Sequence, residues 1–382
     1  MSVDAASLDY AMHRPGTRNA SPVPGRLISL DALRGFDMFW IIGGSSIVTG
    51  IAKAVAGPSA TSFVDQFEHV PWQGLHFYDV IWPLFMFIVG VSLPYSLAKR
   101  RAAGASDSAI YRHAVQRALI LFVLGMIAQG NLLAFDLSKL HPCYSVLHGI
   151  AAGYLIATVV TLNCSARWQI SIVAASLLIY WALLMWLPVP GIGRGVLTPD
   201  GNAATYVDQL VLGRFHYGTN TWFLSYLGFA SSVLLGVLAG EFLMSVRSDR
   251  SKVLILLCAG ILLIVMGMVW SIWFPIIKLL WNGPFVLVGG GISSILLCLF
   301  YGVIDVLGWR RWAFGFGVIG ANSIAVYMAT MLFDFRRIGN IFVGSLLPRL
   351  GAWAGAVEAA AAFAIVWLIL LWMYRTKTFI RV

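Results

Sequence analysis

Ten apolar runs of roughly 20 residues follow one another along the chain, each long enough to cross the hydrocarbon core of a bilayer as a helix. They lie at about 31–52, 77–98, 113–135, 142–162, 168–187, 222–244, 253–274, 285–306, 313–333 and 353–374. Backbone N–H and C=O groups must be paired internally in lipid, so runs of this kind fold as helices. No alternating ten-residue pattern points to a β-barrel. The expected fold is all-α, a polytopic bundle of about ten transmembrane helices. Composition supports this. Hydrophobic residues make up 59% of the 382, and charged residues 11%, against about a quarter in a soluble domain.

The formal charge of +10 reads as orientation rather than nucleic-acid binding, because the basic residues fall in short segments between apolar runs. With both termini in the cytoplasm, the inside segments hold 17 of the 26 Lys and Arg residues and the outside segments hold 8, with Arg34 inside the first helix. That split favours cytoplasmic termini. It places the segment around His69 on the far side of a cell inner membrane, facing the periplasm or outside. Residues 1–26 are polar, contain Pro, Gly and Ser, and lack an apolar core. They read as a disordered or surface lead-in rather than a signal peptide, ahead of one transmembrane domain at 27–382. Cys143, Cys164, Cys258 and Cys298 show no paired or metal-ligand spacing and read as structural thiols. No metal is expected.

Titratable groups concentrate at 67–90, FEHVPWQGLHFYDVIWPLFMFIVG, where Glu68, His69, His76 and Asp79 stand at the mouth of an apolar run. Ionisable residues at a membrane rim are costly, so such a cluster is a functional-site hypothesis. His69 suits a general base or a nucleophile. The bland alternative is an idle loop histidine. Asp79 follows His76 by three residues, which would place both on one helical face. It either orients a histidine or complements the helix dipole. A long segment at 188–221 contains apolar and aromatic residues and reads as a packed lid.

Further polar positions have two readings each. Asp31, Arg34 and Asp37 make a stripe in the first helix, as an ion pair or as an anion site. Gly43, Gly44, Ser45 and Ser46 allow close helix packing or backbone approach to a ligand. Asn282 with Lys278 and Trp281 before the eighth run, Asn322 in the ninth, and His141 and His148 flanking the fourth either bond neighbouring helices or meet a ligand. Arg336 and Arg337 face an anionic substrate or lipid headgroups. No Walker, HExxH or dinucleotide motif occurs.

SLDALRGFDMFWIIGG, the HVPWQG…YDVIWPLFMFIVGVSL block, WNGPFVL and GANSIAVYM together resemble the heparan-α-glucosaminide N-acetyltransferase family and its bacterial homologues. So does WLPVPGIGRGVLTPDGNAATYVDQLVLG followed by LLGVLAGEF. The resemblance runs from about residue 26 to the C-terminus. It implies a membrane acyltransferase moving acetyl from cytoplasmic acetyl-CoA to an amino sugar or glycan. By the family's motif it places the active-site histidine at His69, with Trp72, Gly74 and Asp79 as companions. The residues then expected near acetyl-CoA are Asp31, Arg34, Gly44, Ser45, His148, Asn282 and Asn322. Many bacterial members carry L-Q-R-I where this chain reads Leu147, His148, Gly149, Ile150. A transporter or permease for a sugar or glycan is the rival reading. It would more often show repeats and interrupted helices at the midplane. The partners implied are acetyl-CoA, the acceptor and the lipid bilayer, with a homodimer left open.

Overall fold

A computed structural model describes residues 27–380, and the 1–26 lead-in lies outside the described residues. Those residues fold as helices joined by turns, with two isolated β-bridges. Nine helical segments among them are long and apolar enough to cross a membrane, and a bent pair makes a tenth if counted as one span. The chain is thus a multi-pass, all-helical membrane protein.

The first segment, Ile28–Asp65, is not one straight helix. Helix α1 (Ile28–Phe39) passes through a π-helical turn at Trp40–Gly44 into α2 (Ser45–Ala56). Gly43 there has φ 144, a conformation that a side chain would strain. A short α3 (Thr61–Asp65) follows, so part of the expected loop at 53–76 is helical. Next come α4 (Ile81–Ala102) and α5 (Asp107–Ala128). The latter begins six residues before the expected run at 113–135. The Ser106 hydroxyl caps its first turn by accepting from Ala109 N, and Asn131 beyond its end is left-handed at φ 56. Helices α6 (Val146–Asn163), α7 (Ala166–Trp186), α9 (Tyr226–Leu243), α10 (Asp249–Trp270), α11 (Gly283–Phe300) and α15 (Ala354–Arg375) match the remaining straight runs, with α8 (Ala203–Leu212) lying between α7 and α9.

The ninth expected run, 313–333, is two helices. Its halves, α12 (Phe314–Gly320) and α13 (Ser323–Leu332), meet at a bend of 72°. Asn322 sits at the break. Its Nδ2 donates to Thr378 O at 3.2 Å, and its Oδ1 accepts Ile380 N at 2.9 Å. The side chain therefore stitches the chain's last residues to the break. A nine-residue amphipathic helix, α14 (Phe335–Val343), follows.

Segment 188–221 is ordered around α8. Asp208 on that helix is fully buried and accepts Trp222 N at 2.7 Å and Phe223 N at 3.0 Å. Burial pushes its carboxyl up to about 6, against the pull of those two donors. Trp72 Nε1 donates to Leu197 O at 2.6 Å and ties the His69 segment to this lid.

The charge split makes orientation testable. A reporter after Val382 or within 99–112 is expected to read cytoplasmic, and one in the 57–60 turn to read outside. A cytoplasmic signal at 57–60 would invert the arrangement.

Candidate active site

The segment 66–80 folds back on itself ahead of α4. Gln66 O accepts Tyr78 N at 3.0 Å, and Glu68 O accepts the His76 Nδ1–H at 3.0 Å. Gly74, at φ 115, turns the chain so that its N–H reaches Ile276 O at 3.0 Å. Gln73 pairs with Ile277 in a single antiparallel bridge. The chain just before α11 is thereby fastened beside His69.

Asp79 is fully buried, and its carboxylate is fixed from three directions. Oδ2 accepts His76 N at 3.0 Å and Val70 N at 3.3 Å. Oδ1 lies 2.8 Å from His69 Nδ1 and 3.0 Å from Lys278 Nζ. The histidine that Asp79 meets through its side chain is therefore His69. Towards His76 its carboxylate bonds only the backbone N–H. The Lys278 ammonium also stands 2.7 Å from His69 Nδ1 and 3.3 Å from its Nε2. Burial draws Lys278 below the usual lysine range, while Asp79 pulls the other way. His69 remains about half exposed, and its ring lies 5.0 Å from that of Tyr78.

His69 and Lys278 line a cavity of about 200 Å³ with Tyr78, Trp82, Gln129 and Tyr327. The Tyr327 hydroxyl donates to Gln129 Oε1 at 3.2 Å across it. Below lies a second cavity of about 580 Å³, lined by Arg34, Lys99, Arg100 and Arg117 with Ser92 and Ser96. Phe85, Leu147, Ile150 and Ile324 line both cavities, so the two abut inside the bundle. Helix α4 runs from one to the other, with Asp79 at its His69 end and Lys99 and Arg100 at its far end. In the lower cavity Arg34 donates to Ser92 Oγ at 2.8 Å, Arg100 meets His113 Nε2 at 2.6 Å, and Arg117 lies over the Tyr154 ring at 4.5 Å.

The other expected positions lie apart from this pair of cavities or are used in packing. Asp31 and Arg34 meet at 3.5 Å, but Asp37 does not join them: it is fully buried, and neither carboxylate oxygen has a hydrogen-bond partner. Gly44 packs under the Phe39 ring, and Ser45 Oγ donates to Trp40 O at 2.9 Å. His148 Nδ1 accepts Tyr144 N and Ser145 N, both at 3.1 Å, so its Nε2–H donates to Phe122 O at 3.0 Å. Both of its ring nitrogens are bonded to backbone. Asn282 caps α11, its Oδ1 accepting Ile277 N and Phe285 N and its Nδ2 donating to Pro275 O. Of the seven residues expected near acetyl-CoA, Arg34 alone lines the basic cavity. No group of three or more His, Cys, Asp or Glu side chains forms a metal site among the described residues.

Lys278 is the residue that sequence reasoning left out of the site. Its signal was present: a lone cation in PIIKLLWN, among apolar and aromatic neighbours, needs a partner.

Comparison with known proteins places these residues in context. The chain is similar to the human (Homo sapiens) heparan-alpha-glucosaminide N-acetyltransferase, at 25% identity over 84% of this chain. It is likewise similar to the mouse (Mus musculus) protein of that name, at 27% over 85%. The two matches support a relationship at family level. The chain spans about half the length of these curated relatives, 55% of each. No protein-family model matches the chain.

Proposed function

We propose that this protein is a membrane N-acetyltransferase that takes acetyl-CoA in the basic cavity and acetylates an amino sugar or glycan amine at His69. The observation that carries this reading is the shared wall between the two cavities. Four cations line the lower one and no carboxylate does, which suits the phosphates of coenzyme A. Its pantetheine arm then reaches the shared wall, and the thioester enters the His69 cavity. Lys99 and Arg100 belong to the segment that the charge split puts in the cytoplasm, where acetyl-CoA is made, and the acceptor enters from the opposite side.

Acetyl transfer needs an amine free of its extra proton. His69 takes that proton as the amine nitrogen attacks the thioester carbon. The carbon–nitrogen bond forms, the carbon–sulfur bond breaks, and the leaving thiolate is protonated. The Nδ1 contact to Asp79 aims the ring, as in other base–carboxylate pairs. If His69 instead carries the acetyl group itself, ping-pong kinetics and an acetylated protein would reveal it.

The direct test is N-acetylation of a panel of amino sugars by the purified protein with acetyl-CoA. Absence of product with every amine would overturn the reading. Donor binding has its own check. Calorimetry is expected to detect acetyl-CoA binding that weakens as salt rises, because phosphate–guanidinium attraction is screened. Arg100→Gln and Arg117→Gln should each weaken it about 10-fold or more, the loss of one charge-assisted hydrogen bond. Salt-independent binding, unchanged in both variants, would move the donor site elsewhere.

A further inference from the structure

The chemistry proposed above uses His69 and Asp79 and leaves Lys278 without a task. Its position is costly. The side chain is 11% exposed, and a buried ammonium persists only where it is paired. The turn that carries it is anchored at several points. Thr221 Oγ1 donates to Leu279 O at 3.0 Å, the Tyr180 hydroxyl and Ser225 Oγ both donate to Leu280 O, and Asn282 fixes Ile277 N. Such anchoring holds Nζ at one place, between Asp79 Oδ1 and the imidazole edge of His69.

Proton accounting limits what this arrangement can be. His69 Nδ1 lies within bonding distance of Asp79 Oδ1 and of Lys278 Nζ. One ring nitrogen cannot donate to the first and accept from the second at the same time. With the Nδ1 proton on Asp79, the ammonium donates to the same carboxylate oxygen and faces the ring as a neighbouring positive charge. Asp79 alone would favour the imidazolium form, and a cation beside the ring opposes it. The other titratable or charged groups around the ring are Glu68 and His76 on its own segment and Tyr78 at the start of α4, with Tyr327 across the cavity.

We propose that Lys278 is a positioning residue for the transfer: by sharing Asp79 with His69 it sends the Nδ1 proton to the carboxylate and keeps the imidazole from taking a second proton before the acceptor amine arrives. This rests on the reading that His69 acts in acetyl transfer. A histidine already protonated on both nitrogens can neither accept the amine's proton nor attack the thioester.

The test compares Lys278→Met, Lys278→Gln and Lys278→Arg across pH, each checked by melting temperature and acetyl-CoA binding. In the two uncharged variants the acid limb of kcat/KM is expected to move up by about one pH unit or more. Activity at pH 7 should fall about 10-fold and recover at alkaline pH, while Lys278→Arg keeps the limb in place. A second readout does not depend on activity. The rate at which diethyl pyrocarbonate modifies His69, located by peptide mapping, should need a higher pH without the cation. A lysine that only braces the fold would lower activity or melting temperature and leave both pH profiles unmoved, and that result overturns the proposal. Full activity in His69→Ala would instead overturn the underlying reading, while the modification profile would still decide whether Lys278 acts on the ring.

Discussion

Replacing His69 by alanine is expected to cut acetyl transfer at least ~100-fold, the low end of what a positioned base contributes. Acetyl-CoA binding and melting temperature should stay near the wild-type values. The separation follows from geometry. The His69 side chain is half exposed and outside the packed helices. Its removal leaves Asp79 still bonded to Lys278 and to two backbone N–H groups. The cationic lower cavity contains no atom of His69. Asp79→Asn should lower the rate by a smaller factor and also reduce stability, because the carboxylate braces the turn at His76 as well as the ring. His148→Ala is the informative contrast: with both ring nitrogens bonded to backbone, its loss should destabilise the protein. Lys139→Ala, an exposed loop position paired with Asp136, is the control and should change nothing. The measurement is N-acetyl product from purified variants, and wild-type turnover in His69→Ala would end the assignment.

How far the fold and site can be read in the sequence depends on the range of the forces involved. A helix in lipid is set by about 20 local residues, so the straight spans are legible. Breaks within spans are less so. The π-turn at Trp40–Gly44 and the 72° bend before Ser323 occur inside runs whose hydropathy stays uniform. Gly43 and Asn322 are the only local hints there, and each also suits plain helix packing. The His69–Asp79 meeting is local, ten residues apart, and the resemblance placed both residues together. Lys278 is another matter. It reaches Asp79 across 199 residues of sequence, through the Gln73–Ile277 bridge and the turn held by Thr221 and Ser225. Nothing in the spacing encodes that contact. Polar residues such as His148, Asn282 and Asn322 attract functional readings because polarity is expensive in lipid. In each the cost is met by backbone partners, which spacing alone does not reveal.

The same scaffold predicts a large effect far from the chemistry. At the crossing of α4 and α9 the backbones touch without intervening side chains. A Cβ placed on Gly90 would run into Val233 O, and one on Gly236 into Phe87 O. Gly240 packs on Val91 O in the same way, one turn further along. Small residues let membrane helices approach this closely, and the approach itself supplies the packing energy that lipid exclusion cannot. Above the crossing, the Trp82 ring stacks on Phe229 at 5.5 Å, and Asp79 stands just before α4 begins. Gly90→Ala is therefore expected to destabilise the protein by about 1–3 kcal/mol, the usual cost of overpacking. Gly90→Leu should cost more and lower both the folded yield in detergent and the acetyl transfer rate, as α4 moves and carries Asp79 from His69. Gly355→Ala gives the comparison: a Cβ there meets nothing, so ordinary helix propensity should leave stability equal or slightly higher. Thermal melting of the purified variants decides the matter. A Gly90→Leu protein that melts with the wild type would mean that the two helices can part without loss, and that their contact does not hold the site in place.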